Sequence, residues 1–144
     1  MSAVVVAHLL LVGGYAGFQW TVRALVYPQF AAVPRAGFAA YEQAHQRRIA
    51  RVVGPLFAGQ AGTTGWLLAD PPAGTPLLLV LAAGGLFTAL LLVTALVAVP
   101  LHRRLDDGWD AAAHRRLLRV DGLRAALATI GAAVALALVV QAGS

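Results

Sequence analysis

The sequence predicts an all-α integral membrane protein, a four-helix bundle with its N- and C-termini both on the extracytoplasmic side. Three observations carry that prediction. Of the 144 residues, 60% are hydrophobic and 12% charged, about half the charged share of an ordinary soluble domain. A chain this short cannot bury so much apolar surface in water. Its apolar residues fall into four runs of near-spanning length, and its basic residues fall on one side of the zigzag those runs describe.

The first run covers about residues 3–26. No basic residue precedes it and Arg23 follows its apolar stretch, so it reads as a retained helix rather than a cleaved leader. The second covers 52–69 and ends at Asp70-Pro71-Pro72-Ala73-Gly74-Thr75-Pro76, a turn in which prolines and glycine forbid helix continuation. The third covers 77–99 and is expected to stop at Pro100. The fourth covers 123–140. Each run is close to the roughly 20 residues that a helix needs to cross the hydrocarbon core. In lipid the backbone must satisfy its own polar groups, so the spans are helices. Residues 1–144 form one domain.

The formal charge of +5 comes with no lysine at all. Arg35, Arg47, Arg48 and Arg51 lie in the first connection, and Arg103, Arg104, Arg115, Arg116 and Arg119 in the third. Arg23 and Arg124 lie at the helix ends beside them, and the second connection and both tails hold none. Basic residues gather on the cytoplasmic side of membrane proteins, so the charged loops are expected to be cytoplasmic and the chain a multi-pass protein of the cell membrane. The same bias accounts for the arginines without nucleic acid. Phe38, Tyr41 and His45 recur at helical spacing, and Asp110 to Leu118 extends the fourth helix inward. Gly13 and Gly17, Ala58 and Gly62, and Gly84 and Gly85 are expected where helix backbones approach.

Chemistry is bounded by what is missing. Without cysteine there is no disulfide, iron–sulfur cluster or thiolate site, so any metal is held by nitrogen and oxygen. The serines, Ser2 and Ser144, stand at the extreme ends, and no G-x-S-x-G, phosphate-binding loop or H-E-x-x-H occurs. Hydrolase, kinase and ATPase readings fall away. No charge pair sits at mid-depth of a span, as proton-coupled transport would need.

Polar groups inside spans are functional candidates. His8, Tyr15, Gln19 and Arg23, spaced by 7, 4 and 4 residues, fall within roughly 80° on a helix turning about 100° per residue. That stripe makes either interhelical hydrogen bonds or the wall of a polar cavity. Topology brings His45, His102, Asp121, Arg124 and Arg23 together at the cytoplasmic mouth, with Gln60 near mid-membrane. Three uses stay open. His45, His102 and Asp121 match the ligand types of an iron, copper or zinc site; His45 and His102 match the axial ligands of a haem; or the side chains reach out to lipid headgroups. Arg124, Asp121, Arg23 and Gln19 are the catalytic candidates. His114 is expected in a solvated loop, and His8 is too near the outer end to join the cluster.

Tyr27-Pro28, Phe38, Tyr41, Glu42, His45, Arg48 and Val53-Gly54-Pro55-Leu56, then Pro100-Leu101-His102, Leu105, Gly108, Asp110 and Leu123-Arg124, resemble the pattern of a family of small four-helix proteins of bacterial inner membranes. That family is in turn weakly similar to the anthrone-oxygenase-like proteins, whose members include small membrane enzymes oxidising polyketide anthrones. Gln60 stands where that pattern commonly has glutamate, and Asp121-Gly122 where it has asparagine-tryptophan. The resemblance implies an oxidoreductase acting on a lipophilic small molecule, and the clustered residues at the mouth would hold its metal or haem. The alternative is a non-enzymatic membrane subunit or lipid-binding module. Membrane lipids are the expected partners of either, as a homo- or hetero-oligomer or alone.

Overall fold

The computed structural model describes residues 3–143; Ser2 and Ser144 lie outside the described residues. Four long helices account for nearly all of it: α1 (Ala3–Ala32), α2 (Phe38–Ala69), α3 (Leu77–Asp106) and α4 (Ala111–Gly143). No strand occurs among the described residues. α1, α3 and α4 are each long and apolar enough to cross a membrane. α2 matches them in length but is diluted by Gln60, Thr63, Thr64 and several glycines.

α1 packs against α4 and α2, and α4 also packs against α3. Short connections make sequential helices antiparallel. The C-terminal ends of α1 and α3 therefore meet the N-terminal ends of α2 and α4. Hydrogen bonds from Tyr27 to His102 and from His114 to Tyr27 tie that end together. The arginines belong to it, and the proline-rich turn at 70–76 closes the opposite end.

Two helices run further than the sequence suggests. Proline lacks an N–H and its ring collides with the carbonyl four residues back. α1 nonetheless passes Pro28, and α3 passes Pro100 rather than stopping there. In both, one wide π turn ends two residues before the proline: Val22–Val26 in α1 and Thr94–Ala98 in α3. The wide turn holds the carbonyl with which the ring would collide, and such insertions often mark functional sites. Because α3 continues to Asp106, His102 sits inside a helix rather than at its frayed end.

α4 starts where the sequence predicts. Asp110 accepts hydrogen bonds from the backbone N–H groups of Ala112 (2.8 Å) and Ala113 (3.0 Å) and caps the helix. Beneath it Phe30, Phe38, Leu105 and Leu117 form a fully buried cluster at the arginine-rich end. Val5, Leu67, Val80 and Leu138 form another toward the opposite end.

The glycine expectation needs correction. A Cβ added at Gly13, Gly17, Gly62 or Gly85 would meet nothing within 4 Å; Gly17, Gly62 and Gly85 are exposed. The close approaches are elsewhere: Gly59 against Leu11, Gly84 against Leu68, Gly131 against Val12, and Gly122 beneath the guanidinium of Arg23.

Candidate functional site

The site is built around His102. Its Nδ1–H donates to Glu42 Oε1 at 2.5 Å, and its Nε2 accepts from the Tyr27 hydroxyl at 2.9 Å. Glu42 is fully buried. Gln46, one turn along α2, donates to Glu42 Oε1 (3.2 Å) and to Asp106 Oδ1 (2.7 Å). A carboxylate on Nδ1 fixes the tautomer and orients the ring, so that Nε2 is the acceptor. The order Tyr27–His102–Glu42 is thus a proton relay with the tyrosine at its outer end. Sequence reasoning left Glu42 out of the candidate site. One signal was present: it precedes His45 by three residues and so shares its helix face.

His45 is buried beside this relay. Its ring lies 6.0 Å from that of His102, 6.0 Å from Tyr27 and 4.9 Å from Phe30. Its Nε2 has no hydrogen-bond partner among the described residues. Burial pushes the imidazole below its ordinary value; Glu42 offsets part of that and His102 adds to it. His45 is therefore neutral at physiological pH, with one nitrogen unused.

The second half of the site comes from α1 and α4. Arg124 donates from Nη2 to the Tyr15 hydroxyl at 3.1 Å and faces Asp121 Oδ1 at 3.5 Å through Nη1. Gln19 Nε2 also donates to Asp121 Oδ1, and the Tyr15 hydroxyl donates to Gln19 Oε1 at 2.8 Å. Tyr15, Gln19 and Asp121 are fully buried. Arg124 Nε has no partner among the described residues. Three of the four expected catalytic residues, Arg124, Asp121 and Gln19, thus form one network. Arg23 does not join it: its Nη1 donates to the Leu118 carbonyl at 3.1 Å, and its guanidinium covers Gly122.

The two halves share a cavity of about 210 Å³. Tyr27, His45, His102 and Arg124 supply its polar side, and Ile49, Val53, Ala98 and Val99 its apolar walls. Most of its lining comes from α2 and α3.

His114 is not in a solvated loop. It occupies the first turn of α4, is buried, and donates from Nε2 to the Tyr27 carbonyl at 2.8 Å. Asp110 caps the helix just before it, and the first turn aims this residue inward despite the arginines around it. His8 stays apart from the cluster, as its place in the chain requires. Its Nδ1 pairs with Thr63 Oγ1 at 3.0 Å. With Gln60 it lines a cavity of about 20 Å³, room for one water.

The donor set does not match the expected ligands. Both His102 nitrogens are engaged, and Asp121 points to Gln19 and Arg124 instead of to the histidines. No group of three His, Asp or Glu residues able to hold a metal ion occurs among the described residues. A haem fits no better. Both nitrogens of His102 are already engaged, which leaves His45 without a second imidazole to complete an axial pair.

Comparison of this chain with models of protein families, with curated proteins and with solved structures finds no match.

Proposed function

We propose that this chain is a four-span protein of the cell membrane, its arginine-rich end cytoplasmic, and that the cavity at that end is an oxidoreductase site for a lipophilic small molecule. Three apolar helices, and an outer surface where Leu10, Leu78 and Leu96 are each more than two-thirds exposed, support the membrane. The arginine asymmetry supports the orientation.

One observation carries the chemistry: a buried Glu–His–Tyr relay opens onto an apolar-walled cavity. The Tyr27 oxygen takes a proton from the substrate as its own proton passes to His102 Nε2. Glu42 holds the imidazolium that results. Arg124 balances the negative charge left on the substrate. Oriented acid–base groups of this kind contribute about 10²–10⁴-fold in rate. A methylene conjugated through two aryl rings to one carbonyl, as in the anthrones that the family resemblance implies, exchanges with its phenol-like enol, and loss of the proton in this step leaves an enolate with its charge on oxygen. Dioxygen is the electron acceptor this reading assigns: one oxygen atom goes to the carbon and the other leaves as water.

The test is oxygen uptake by detergent-purified protein presented with an anthrone, beside Glu42→Gln and His102→Gln. Uptake that falls by about 10²-fold or more in both variants supports the reading. Uptake indifferent to both contradicts it and favours the non-enzymatic alternative, a lipid-binding module whose cavity only holds its ligand.

A further inference from the structure

We infer that the cavity selects weak oxygen acids, phenols or enols that enter neutral from the lipid, and holds their ionised oxygen between His45 and Arg124. This deepens the reading above by naming the substrate class of the same site. Two independent observations meet here. His45 Nε2 and Arg124 Nε are both buried nitrogens without a partner among the described residues, and both side chains line the cavity. His45 is 9% exposed and Arg124 6%. A buried donor left unpaired costs about 1–3 kcal/mol, more for a charged group. Two such nitrogens in one cavity point to an acceptor that belongs there.

Oxygen is the acceptor both nitrogens fit. His45 Nε2 carries the proton in one neutral tautomer and donates, and the guanidinium Nε always does. The choice between oxygen acids follows from the relay. A carboxylic acid is already ionised in water at neutral pH and must shed its hydration to enter, and it leaves Tyr27–His102–Glu42 no proton to remove. A phenol ionises near pH 10 in water. It crosses lipid as a neutral molecule, loses its proton in the cavity, and only then develops the charge that Arg124 meets. Asp121 and Glu42, the nearest acids, are each hydrogen-bonded through one oxygen, to Gln19 and Arg124 and to His102 and Gln46; their second oxygens have no partner among the described residues, but neither carboxylate lines the cavity. The walls of Ile49, Val53, Ala98 and Val99 accept the apolar body.

The probe is 2-naphthol, whose neutral and ionised forms differ in absorbance and fluorescence. Titrated with detergent-purified wild-type protein, it should bind at least tenfold more tightly than naphthalene and ionise at a lower pH than in empty micelles. His45→Gln should weaken binding about tenfold. Arg124→Gln leaves Asp121 unpaired and risks misfolding, so the paired variant Arg124→Gln/Asp121→Asn is measured with it; that variant should bind naphthol but lose the downward shift. Equal binding of naphthol and naphthalene, preference for octanoate over naphthol, or a shift that persists in the paired variant would each overturn the inference. Shifted binding without any oxygen uptake would remove the enzymatic reading and leave this one standing; uptake with unshifted naphthol would do the reverse.

Discussion

His45 and Glu42 show how burial sets chemistry at single positions. Burial holds the His45 imidazole below its ordinary value of 6.5. The groups facing it are Tyr27 and Phe30 from α1, Tyr41 and Glu42 from its own helix, and His102 from α3, with Arg124 of α4 across the cavity. A group whose folded value is depressed resists protonation in the fold, so its contribution is complete above pH about 6.5 and is lost as pH falls through the lower folded value. Thermal unfolding in detergent should therefore show a midpoint that drops below pH 6.5, and His45→Gln should flatten that drop. A steeper drop in the variant would contradict the neutral assignment. Glu42 makes a sharper case. Removing one partner of a buried pair costs about 3–5 kcal/mol, so Glu42→Ala should lower the midpoint far more than Glu42→Gln, which keeps the shape and an acceptor. Equal effects would mean that Glu42 only fills space.

At the scale of elements, the four helices and the turn at 70–76 were legible in the sequence, because hydropathy, proline and glycine report directly on them. The π turns were not, since no composition signal separates a proline that ends a helix from one that follows a wide turn. That one ambiguity hid the site. With α3 ended at Pro100, His102 is a frayed residue free to turn toward lipid. With α3 continued to Asp106, it is fixed against Glu42. His114 was misread for a related reason: three nearby arginines make the segment look solvated, while Asp110 caps a helix that turns the histidine inward. Pro100→Ala removes the ring that the wide Thr94–Ala98 turn accommodates, and closing that turn to ordinary helix with every residue retained should rotate His102 by about 100°. Helicity by circular dichroism should be kept while naphthol binding is lost. Binding that survives the substitution would show that the wide turn does not aim His102. Asp110→Ala should fray the first turn of α4, read as faster amide exchange at Ala112 and Ala113.

For the whole molecule, the polar groups divide into two sets along the bundle. His8, Thr63 and Gln60 pair in one half, and the relay with the Arg124 network occupies the arginine-rich half. In the proposed membrane setting, a bundle with an apolar exterior and a polar cavity at one end would place its chemistry at a defined depth and on a defined side. The side of that cavity is the claim on which substrate entry, proton exchange and charge balance all depend. The chain has no cysteine, so one introduced thiol reports its position without background. The deciding measurement is labelling of Ala73→Cys and Asp107→Cys by a membrane-impermeant maleimide in intact cells. Ala73→Cys should be labelled from outside, and Asp107→Cys only after the membrane is opened. Labelling of Asp107→Cys in intact cells, with Ala73→Cys protected, would contradict it.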